Sequence, residues 1–244
     1  MCKLSVNVNK IATLRNARGG DVPNLISCSA DIESFGAQGI TIHPRPDERH
    51  IRYQDARDLK KSVKTELNIE GNPIPKFKEM VLELCPDQVT LVPDAVSNLT
   101  SDAGWDTIKH KDFLTEVIAE FKSKGIRTSI FVDPILEQIK GAAATGADRI
   151  ELYTESFAKA YEKGYKDEVI SYNNAAKFAN ELGLGINAGH DLSLENIEFF
   201  VASLPNLAEV SIGHALISES LYLGFENVIG LYLSKIQKGM HQWK

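Results

Sequence analysis

The segment between residues 39 and 51 combines an apolar run with side chains that can bind anions or move protons. Its first four residues, Gly-Ile-Thr-Ile, are apolar or β-branched and predict a buried strand. Two prolines follow within four residues, and because proline cannot continue a β ladder, the strand ends there. This stretch carries His43, Arg45 and His50. A simple turn would favour Gly, Asn and Asp, so the mixture indicates a site at the carboxyl end of a parallel strand.

Polar residues also stand at, near or just past the ends of other predicted strands. They are Asn7, Asn9, Lys10, Glu70, Asp133, Glu151, Asn187, His190 and His214, the last preceded by Gly213. Each has a structural alternative, since a lone His at a strand end is more often a hydrogen-bonded structural residue and either Glu could be an ion-pair partner. In a parallel barrel, however, these strand ends meet on one face, where active sites of the fold lie. Their convergence favours a catalytic site.

Short apolar strands alternate with amphipathic segments of helical length along the whole chain. Eight strands are predicted, at Leu4–Val8, Ile40–Ile42, Glu66–Ile69, Gln88–Val92, Thr128–Val132, Arg149–Tyr153, Leu184–Ala188 and Ala208–Ile212. Helices are predicted at Pro23–Phe35, Tyr53–Val63, Phe77–Leu84, Ile108–Lys124, Ile135–Thr145, in two segments reaching Leu182, at Leu194–Ala202 and from His214 onward. The alternation predicts an α/β fold, a (β/α)₈ TIM barrel with extra short helices, as one domain over residues 1–244. A doubly wound open sheet is the alternative, but no GxGxxG follows the first strand.

Composition narrows the class of protein. The chain has 244 residues, 43% of them hydrophobic, which is enough for a substantial core. A formal net charge of −6 argues against general affinity for nucleic acid or for an anionic membrane. The three cysteines form no CxxC pair and indicate free thiols in a reducing compartment. No apolar leader and no run of 18 apolar residues are present, so we expect a cytoplasmic protein without a membrane span.

Three candidate proton-transfer groups come from this reading. Glu70 follows Asn68-Ile69, and apolar neighbours would raise its pKa toward values useful for a general base. His43 and His190 suit proton delivery and removal near neutral pH. Together they predict acid–base chemistry on a bound small molecule.

Anion-binding groups are also sufficient for two phosphates. Arg18, Arg45 and His50 can contact phosphate oxygens, Arg in bidentate fashion. The pairs Gly189-His190 and Gly213-His214 follow the seventh and eighth strands, where barrels of this fold usually bind phosphate through glycine and a helix N-terminus. The combination favours condensation or isomerisation of phosphorylated small molecules.

Several segments resemble one known family. The run Asn-Val-Asn-Lys-Ile-Ala-Thr-Leu-Arg-Asn-Ala-Arg-Gly at residues 7–19 resembles the first-strand signature of the pyridoxine 5′-phosphate synthase family. The resemblance continues in order through 39–45 with His50, 67–70, 91–93 with Thr100, 150–151, 186–190 and 212–214. It therefore covers nearly the whole chain.

The resemblance implies a specific reaction. Members of that family are (β/α)₈ barrels that condense 1-deoxy-D-xylulose 5-phosphate with 3-amino-2-oxopropyl phosphate. The products are pyridoxine 5′-phosphate, inorganic phosphate and water, in vitamin B6 biosynthesis. The family uses no metal and no organic cofactor, and it assembles as octamers, so the resemblance implies a homo-octamer here.

The resemblance also implies roles for individual residues. His43 and Glu70 would accept protons, His190 would donate one, and Glu151 would stabilise a transition state. Contacts to the aminoketone phosphate are implied for Asn7, Arg18, Asp191, Gly213 and His214. Contacts to the deoxyxylulose phosphate are implied for Asn9, Lys10, Arg45, His50 and Thr100. The loop of residues 94–104 would be a closing lid.

The chain departs from the family pattern near two of these positions. Many relatives carry Asp-His after the first strand, where this chain has Asn9-Lys10 and thus a permanent cation. His190 is followed by Asp191 where a Gly is common. Neither departure removes a predicted proton-transfer residue.

Three other functions fit parts of the sequence. Another phosphosugar barrel, an aldolase or isomerase, could use Lys10, the only candidate Schiff-base lysine at a strand end. A metal-dependent hydrolase could recruit His43, His50, His190 and Glu70, although no HxH lies on the first strand. A non-catalytic phosphometabolite-binding barrel would keep the phosphate-binding groups without needing the His43 and Glu70 pair.

Overall fold

A computed structural model describes residues 1–94 and 103–241 of the chain. Its eight strands are β1 Lys3–Asn7, β2 Gly39–Ile42, β3 Glu66–Gly71, β4 Gln88–Leu91, β5 Arg127–Val132, β6 Arg149–Tyr153, β7 Gly185–Gly189 and β8 Leu207–Ile212. Each strand pairs in parallel with the next, and β8 pairs with β1, so the sheet closes into a barrel. The predicted (β/α)₈ fold is confirmed.

Helices surround the barrel in the part of the chain that the structure describes. They are α1 Asn9–Asn16, α2 Leu25–Ser34, α3 Tyr53–Ser62, α4 Pro75–Leu84, α5 Lys111–Lys122, α6 Leu136–Ala144, α7 Glu155–Glu162, α8 Val169–Glu181, α9 Ile197–Ser203, α10 His214–Leu223 and α11 Phe225–His241. A short 3₁₀ turn at Lys166–Glu168 precedes α8. No helix among these residues is both long enough and apolar enough to cross a membrane.

The hydrophobic core lies between the barrel and the helices. Alternate strand residues such as Leu4, Ile40 and Ile69 are fully buried there, since successive side chains of a strand point to opposite faces. Helices contribute large aromatic side chains, and the rings of Phe157 and Phe200 pack 4.8 Å apart. Burying such side chains stabilises each by about 1.5–3 kcal/mol.

The interior of the barrel is polar instead of filled by branched apolar side chains. A series of hydrogen-bonding side chains crosses it, formed by Ser5, Thr41, Asn68, Thr90 and Glu151. Ser5 Oγ lies 2.7 Å from Thr41 Oγ1, Asn68 Nδ2 donates to Thr41 Oγ1 at 3.5 Å, and Thr90 Oγ1 lies 3.4 Å from Glu151 Oε2. Barrels of this fold usually contain layers of Val, Ile and Leu at these positions. The polar series positions Glu151 below the strand ends.

Two helices differ from the sequence-based expectation. The helix α1 was not predicted, because it has only eight residues, no side-chain N-cap and few apolar positions. Its buried Arg15 forms a bidentate ion pair with Asp55 of α3, at 2.7 and 2.8 Å, which fixes α1 against its neighbour. The predicted last helix is two helices, separated at Gly224, whose φ of 77° ends α10.

Candidate active site

A cavity of about 600 Å³ lies at the carboxyl ends of the strands. Twelve of the fourteen predicted site residues line it: Asn7, Asn9, Lys10, His43, Arg45, His50, Glu70, Glu151, His190, Asp191, Gly213 and His214. Arg18 is exposed on the turn after α1 and does not line the cavity. Thr100 and most of the predicted lid, residues 95–102, lie outside the described residues. The parallel topology thus brings together groups that are far apart in sequence.

Two asparagines connect the start of the chain to the candidate proton-transfer groups Glu70 and His43. Asn7 Nδ2 donates to Glu70 Oε2 at 3.3 Å, and Asn7 Oδ1 accepts the backbone N–H of Asn9 at 3.0 Å. Asn9 Oδ1 in turn accepts the backbone N–H of His43 at 2.9 Å. These contacts hold Glu70 and His43 in a fixed relation across β1, β2 and β3.

His43 lies between two carboxylates. Its Nδ1 is 4.0 Å from Glu70 Oε2, and its Nε2 is 4.0 Å from Asp94 Oδ2. Burial lowers the pKa of His43 well below its usual value, and the positive charge of Arg45 lowers it further. The ring is therefore neutral at physiological pH and can accept a proton. The sequence had indicated titration near neutrality, but burial was not visible there.

Both glutamates of the cavity have raised pKa values. Burial raises the pKa of Glu70 well above its usual value, and the nearby charge of Glu151 raises it further. Burial also raises the pKa of Glu151 to about 8, with Glu209 adding to the rise. Two buried carboxylates close together cannot both ionise easily, so the pair favours a state in which at least one of them keeps its proton. The rise predicted for Glu70 is confirmed in direction.

His50 has a defined protonation state. Burial, together with the charges of Arg45 and Lys10, lowers its pKa to about 4. Its Nδ1 accepts the backbone N–H of Ile51 at 2.9 Å. A neutral ring that accepts at Nδ1 carries its proton on Nε2. His50 can therefore donate from Nε2 to an anion without contributing a charge.

Positive charge is concentrated on one side of the cavity. Lys10, Arg45 and Arg49 line it there, and Arg45 forms a buried ion pair with Asp94. Arg49 and Asp94 were not predicted as site residues. Asp94 follows the end of β4, so the positional rule that selected the other residues would have found it. Arg49 lies within the segment of residues 39–51, next to His50, so its position in the sequence was the signal for it.

His190 and Asp191 follow β7 and lie close together. His190 has a φ of 95°, which is uncommon for a residue with a side chain, and its Nδ1 lies 2.6 Å from Asp191 Oδ2. The backbone N–H of Asp191 donates to Thr154 Oγ1 at 3.2 Å. A phosphate that used this N–H would have to compete with Thr154.

Glycines at two strand ends allow close approach. A Cβ at Gly189 would lie 2.6 Å from Glu151 Oε1, and one at Gly213 would lie 3.1 Å from Asn7 Cβ. Gly213 also precedes the first turn of α10, whose backbone N–H groups have no acceptor within the helix. Such a helix end can bind phosphate at the cavity wall.

Comparison with known proteins decides the family. Residues 4–238 match the family model described as "Pyridoxal phosphate biosynthesis protein PdxJ". The chain belongs to the PdxJ family. The resemblance seen in the sequence is thereby confirmed.

Individual relatives agree over their full length. The chain is 68% identical over 237 residues to the pyridoxine 5′-phosphate synthase of Flavobacterium johnsoniae, covering 97% of this chain and 100% of that protein. It is 60% identical to the protein of the same name from Cytophaga hutchinsonii, covering 98% and 100% of the two chains.

Solved structures of other enzymes share the fold of this PdxJ chain. The 3-keto-L-gulonate-6-phosphate decarboxylase of Vibrio cholerae superposes with a TM-score of 0.65 at 10% identity, covering 97% of this chain and 98% of that one. N-(5′-phosphoribosyl)anthranilate isomerase from Pyrococcus furiosus superposes with a TM-score of 0.62 at 10% identity, covering 97% of this chain and 99% of that one. At these identities the similarity establishes the barrel fold alone.

Proposed function

We propose that this chain is a pyridoxine 5′-phosphate synthase. It condenses 1-deoxy-D-xylulose 5-phosphate with 3-amino-2-oxopropyl phosphate to give pyridoxine 5′-phosphate, phosphate and water. One observation carries the proposal: Glu70, His43, Glu151 and His190 surround a single cavity that has a cationic side. Family membership supports the same reaction.

The deoxyxylulose phosphate binds on the cationic side of the cavity. Arg45 and Lys10 supply charge there, and His50 supplies a neutral N–H donor. Arg45 already pairs with Asp94, so the incoming phosphate shares or displaces that carboxylate. Asn9 lines the same region. The family resemblance adds Thr100, which lies outside the described residues, to this set of ligands.

The aminoketone phosphate binds at the opposite side. Gly213 and His214 form the start of α10, where backbone N–H groups face an anion favourably. Asn7 and Asp191 line the adjoining surface. Arg18 lies outside the cavity in the described chain, so its contact requires either a shift of the turn after α1 or its supply from a neighbouring subunit.

Acid–base steps follow from the state of the empty cavity. The aminoketone arrives with a protonated amine, and its positive charge favours ionisation of Glu70, whose pKa is raised by burial. Neutral His43 accepts the amine proton, and the free amine attacks the ketone carbon of the second substrate. Loss of water then forms the Schiff base, with His190 protonating the departing oxygen.

Later steps use the same groups again. Ionised Glu70 removes a proton from carbon before phosphate leaves, and Glu151, largely protonated, donates a hydrogen bond to oxygen as negative charge develops there. Proton transfers among His43, Glu70 and His190 then carry the intermediate through ring closure. No step requires a metal or an organic cofactor.

The organisation of the protein is part of the proposal. The chain functions as one domain in the cytoplasm and assembles as a homo-octamer. Leu221 and Tyr222 at the end of α10 are 76% and 90% exposed, which is unusual for adjacent large apolar residues and supports a contact with another subunit.

The alternative functions have less support. Lys10 is exposed on the first turn of α1, whereas a Schiff-base lysine needs a desolvated site. Among the described residues, no group of three or more His, Cys, Asp or Glu is arranged to hold a metal ion. A purely binding role would not need four proton-transfer side chains around one cavity.

Product analysis tests the proposal. Purified protein is incubated with both substrates, and the products are separated and identified by mass spectrometry, with each substrate omitted in turn as a control. We expect pyridoxine 5′-phosphate only when both are present. Phosphate release or isomerisation with a single substrate would instead indicate another phosphosugar enzyme and would overturn the proposal.

A further inference from the structure

We propose that Asp191 is a positioning residue for His190. Its carboxylate fixes the imidazole ring and keeps one proton on Nδ1, so that Nε2 exchanges protons with the substrate. The inference rests on the proposed function, in which His190 is the proton donor. In this role the side chain of Asp191 acts on His190. A phosphate, by contrast, would contact only the backbone N–H of Asp191.

The distance between the two side chains defines their relation. His190 Nδ1 lies 2.6 Å from Asp191 Oδ2, a length typical of a strong hydrogen bond to a charged group. A carboxylate only accepts hydrogen bonds, so Nδ1 is the donor. In the neutral ring the single proton is then on Nδ1, and Nε2 has the lone pair.

The backbone of Asp191 is anchored on both sides. Its N–H donates to Thr154 Oγ1 at 3.2 Å, and Thr154 Oγ1 itself donates to the carbonyl of Gly189 at 2.7 Å. Asn196 Nδ2 donates to the carbonyl of Asp191 at 3.4 Å. Thr154 is fully buried, so this anchor belongs to the barrel and not to a surface loop. These contacts fix the main chain of Asp191 and so fix the position from which its carboxylate extends.

The ring of His190 is constrained from other directions as well. Its φ of 95° is a conformation that costs energy for any residue with a Cβ and persists only where neighbours enforce it. The edge of the ring meets Tyr153 at 5.2 Å between centroids and an interplanar angle of 88°. Strained backbone, aromatic contact and carboxylate together leave the ring one orientation in the cavity.

Charge explains why a carboxylate is compatible with a phosphate site. The side chains of His190 and Asp191 are 27% and 34% exposed, so their pairing contributes little to stability. When Nε2 is also protonated, imidazolium and carboxylate form a neutral pair, and a phosphate nearby meets no net negative charge. The main effect of the contact is therefore to orient the His190 ring.

The proton balance is simple. Nε2–H transfers its proton to the oxygen that leaves as water, and the ring returns to its neutral form. The Nδ1–H bond to Asp191 is unchanged throughout, so the carboxylate holds the ring in place while Nε2 gives up its proton. Carboxylates that orient a catalytic histidine in this manner act on its tautomer and not on substrate binding.

Steady-state kinetics separate this role from direct ligand binding. We expect Asp191→Asn to lower kcat by about 30-fold, with KM for each substrate within about threefold of wild type, because orientation of an acid–base group affects the chemical step. The matched control is Glu195→Gln, which removes one carboxylate from the exposed surface of the same β7–α9 segment and should leave both constants unchanged. An unchanged kcat, or a change confined to KM for the aminoketone phosphate, would overturn the proposal.

Nitrogen NMR tests the contact without any substrate. Magic-angle-spinning spectra of protein labelled with ¹⁵N at its six histidines would be compared with a His190→Gln sample to assign the His190 signals. We expect protonated Nδ1 and unprotonated Nε2 in the neutral ring of wild type, and a mixture of tautomers in Asp191→Asn. The same tautomer in both proteins would contradict the inference. Since this readout needs no turnover, failure of the proposed reaction would be seen separately.

Discussion

Individual side chains in this site are tuned mainly by burial. Glu70 and Glu151 have raised pKa values, whereas His43 and His50 have lowered ones, so burial disfavours the charged form of all four side chains. A neutral acid next to a neutral base can pass protons in either direction once a charged substrate enters. These shifts support the proposed use of the cavity for repeated proton transfers.

The first prediction concerns Glu70. Glu70→Gln should lower kcat by about 1,000-fold, because an amide cannot accept the proton removed from carbon. Phosphate-ligand binding should survive, since the amide is isosteric with the carboxyl group and burial already disfavours the charged form of Glu70. Turnover assays and calorimetric titration with each substrate measure the two effects. Activity near that of wild type would remove Glu70 from the mechanism.

The second prediction concerns Arg45. Arg45→Ala should raise KM for the deoxyxylulose phosphate by about 10- to 100-fold, in line with the loss of a charged hydrogen bond. The KM for the aminoketone phosphate should change much less. Arg57→Ala is a suitable control, since Arg57 pairs with Glu83 on the surface. An unchanged KM for the deoxyxylulose phosphate would show that the phosphate binds elsewhere.

The third prediction concerns pH and Glu151. In the folded chain its pKa is about 8, against about 4.3 for an unfolded glutamate, so the folded state binds the extra proton between these values. Stability from this group is therefore complete below about pH 4 and is lost as pH rises through 8, by at most about 1.4 kcal/mol per pH unit. Glu151→Gln should become more stable relative to wild type from pH 5 to pH 8. Thermal unfolding at matched protein concentration measures this, and a pH-independent difference would contradict it.

At the scale of elements, the ends of the parallel strands position the site, and the glycine at the end of β7 lets that strand lie close to side chains and backbone of its neighbours. Gly189→Ala would bring a methyl group within 2.6 Å of Glu151 Oε1 and 2.9 Å of the Ser211 carbonyl oxygen. We expect a loss of about 1–3 kcal/mol in the free energy of unfolding, together with lower activity as Glu151 moves. Denaturant unfolding and turnover would be measured together.

A matched glycine gives the control for that change. Gly230 lies inside α11, and a Cβ there would meet nothing within 4 Å. Gly230→Ala should raise stability by about 0.5–1 kcal/mol and leave activity unchanged, because alanine is the better helix former. If Gly189→Ala and Gly230→Ala changed stability and activity in the same way, the close packing around Gly189 would not be the reason that a glycine is needed there.

Much of this element-level arrangement could be predicted, because the alternation of strands and helices fixes a barrel and a barrel fixes where strand ends meet. Twelve predicted residues therefore line the cavity although few of their contacts were foreseeable. The helix α1 could not be predicted because its own sequence pattern is weak. Tertiary contacts such as the Arg15–Asp55 ion pair stabilise it instead. Likewise the neutral state of His50 depends on burial and on neighbouring cations that only the folded chain brings together.

At the scale of the whole molecule, assembly is the main expectation. Eight chains of 27.0 kDa would form a particle of about 216 kDa, which light scattering after size exclusion would measure. Tyr222→Asp should favour smaller species, because the exposed end of α10 would then carry a charge into an apolar contact. A wild-type protein that runs as a monomer would contradict the octamer.

The most direct measurement follows two products in one reaction. Chelator-treated protein is mixed with both phosphate substrates, and inorganic phosphate and pyridoxine 5′-phosphate are quantified over time, with Glu70→Gln in parallel. The account predicts that both products appear together in equal amounts in the wild type and that neither appears at a comparable rate in the variant. Phosphate without pyridoxine 5′-phosphate, or activity that depends on added metal, would contradict the cofactor-free acid–base mechanism.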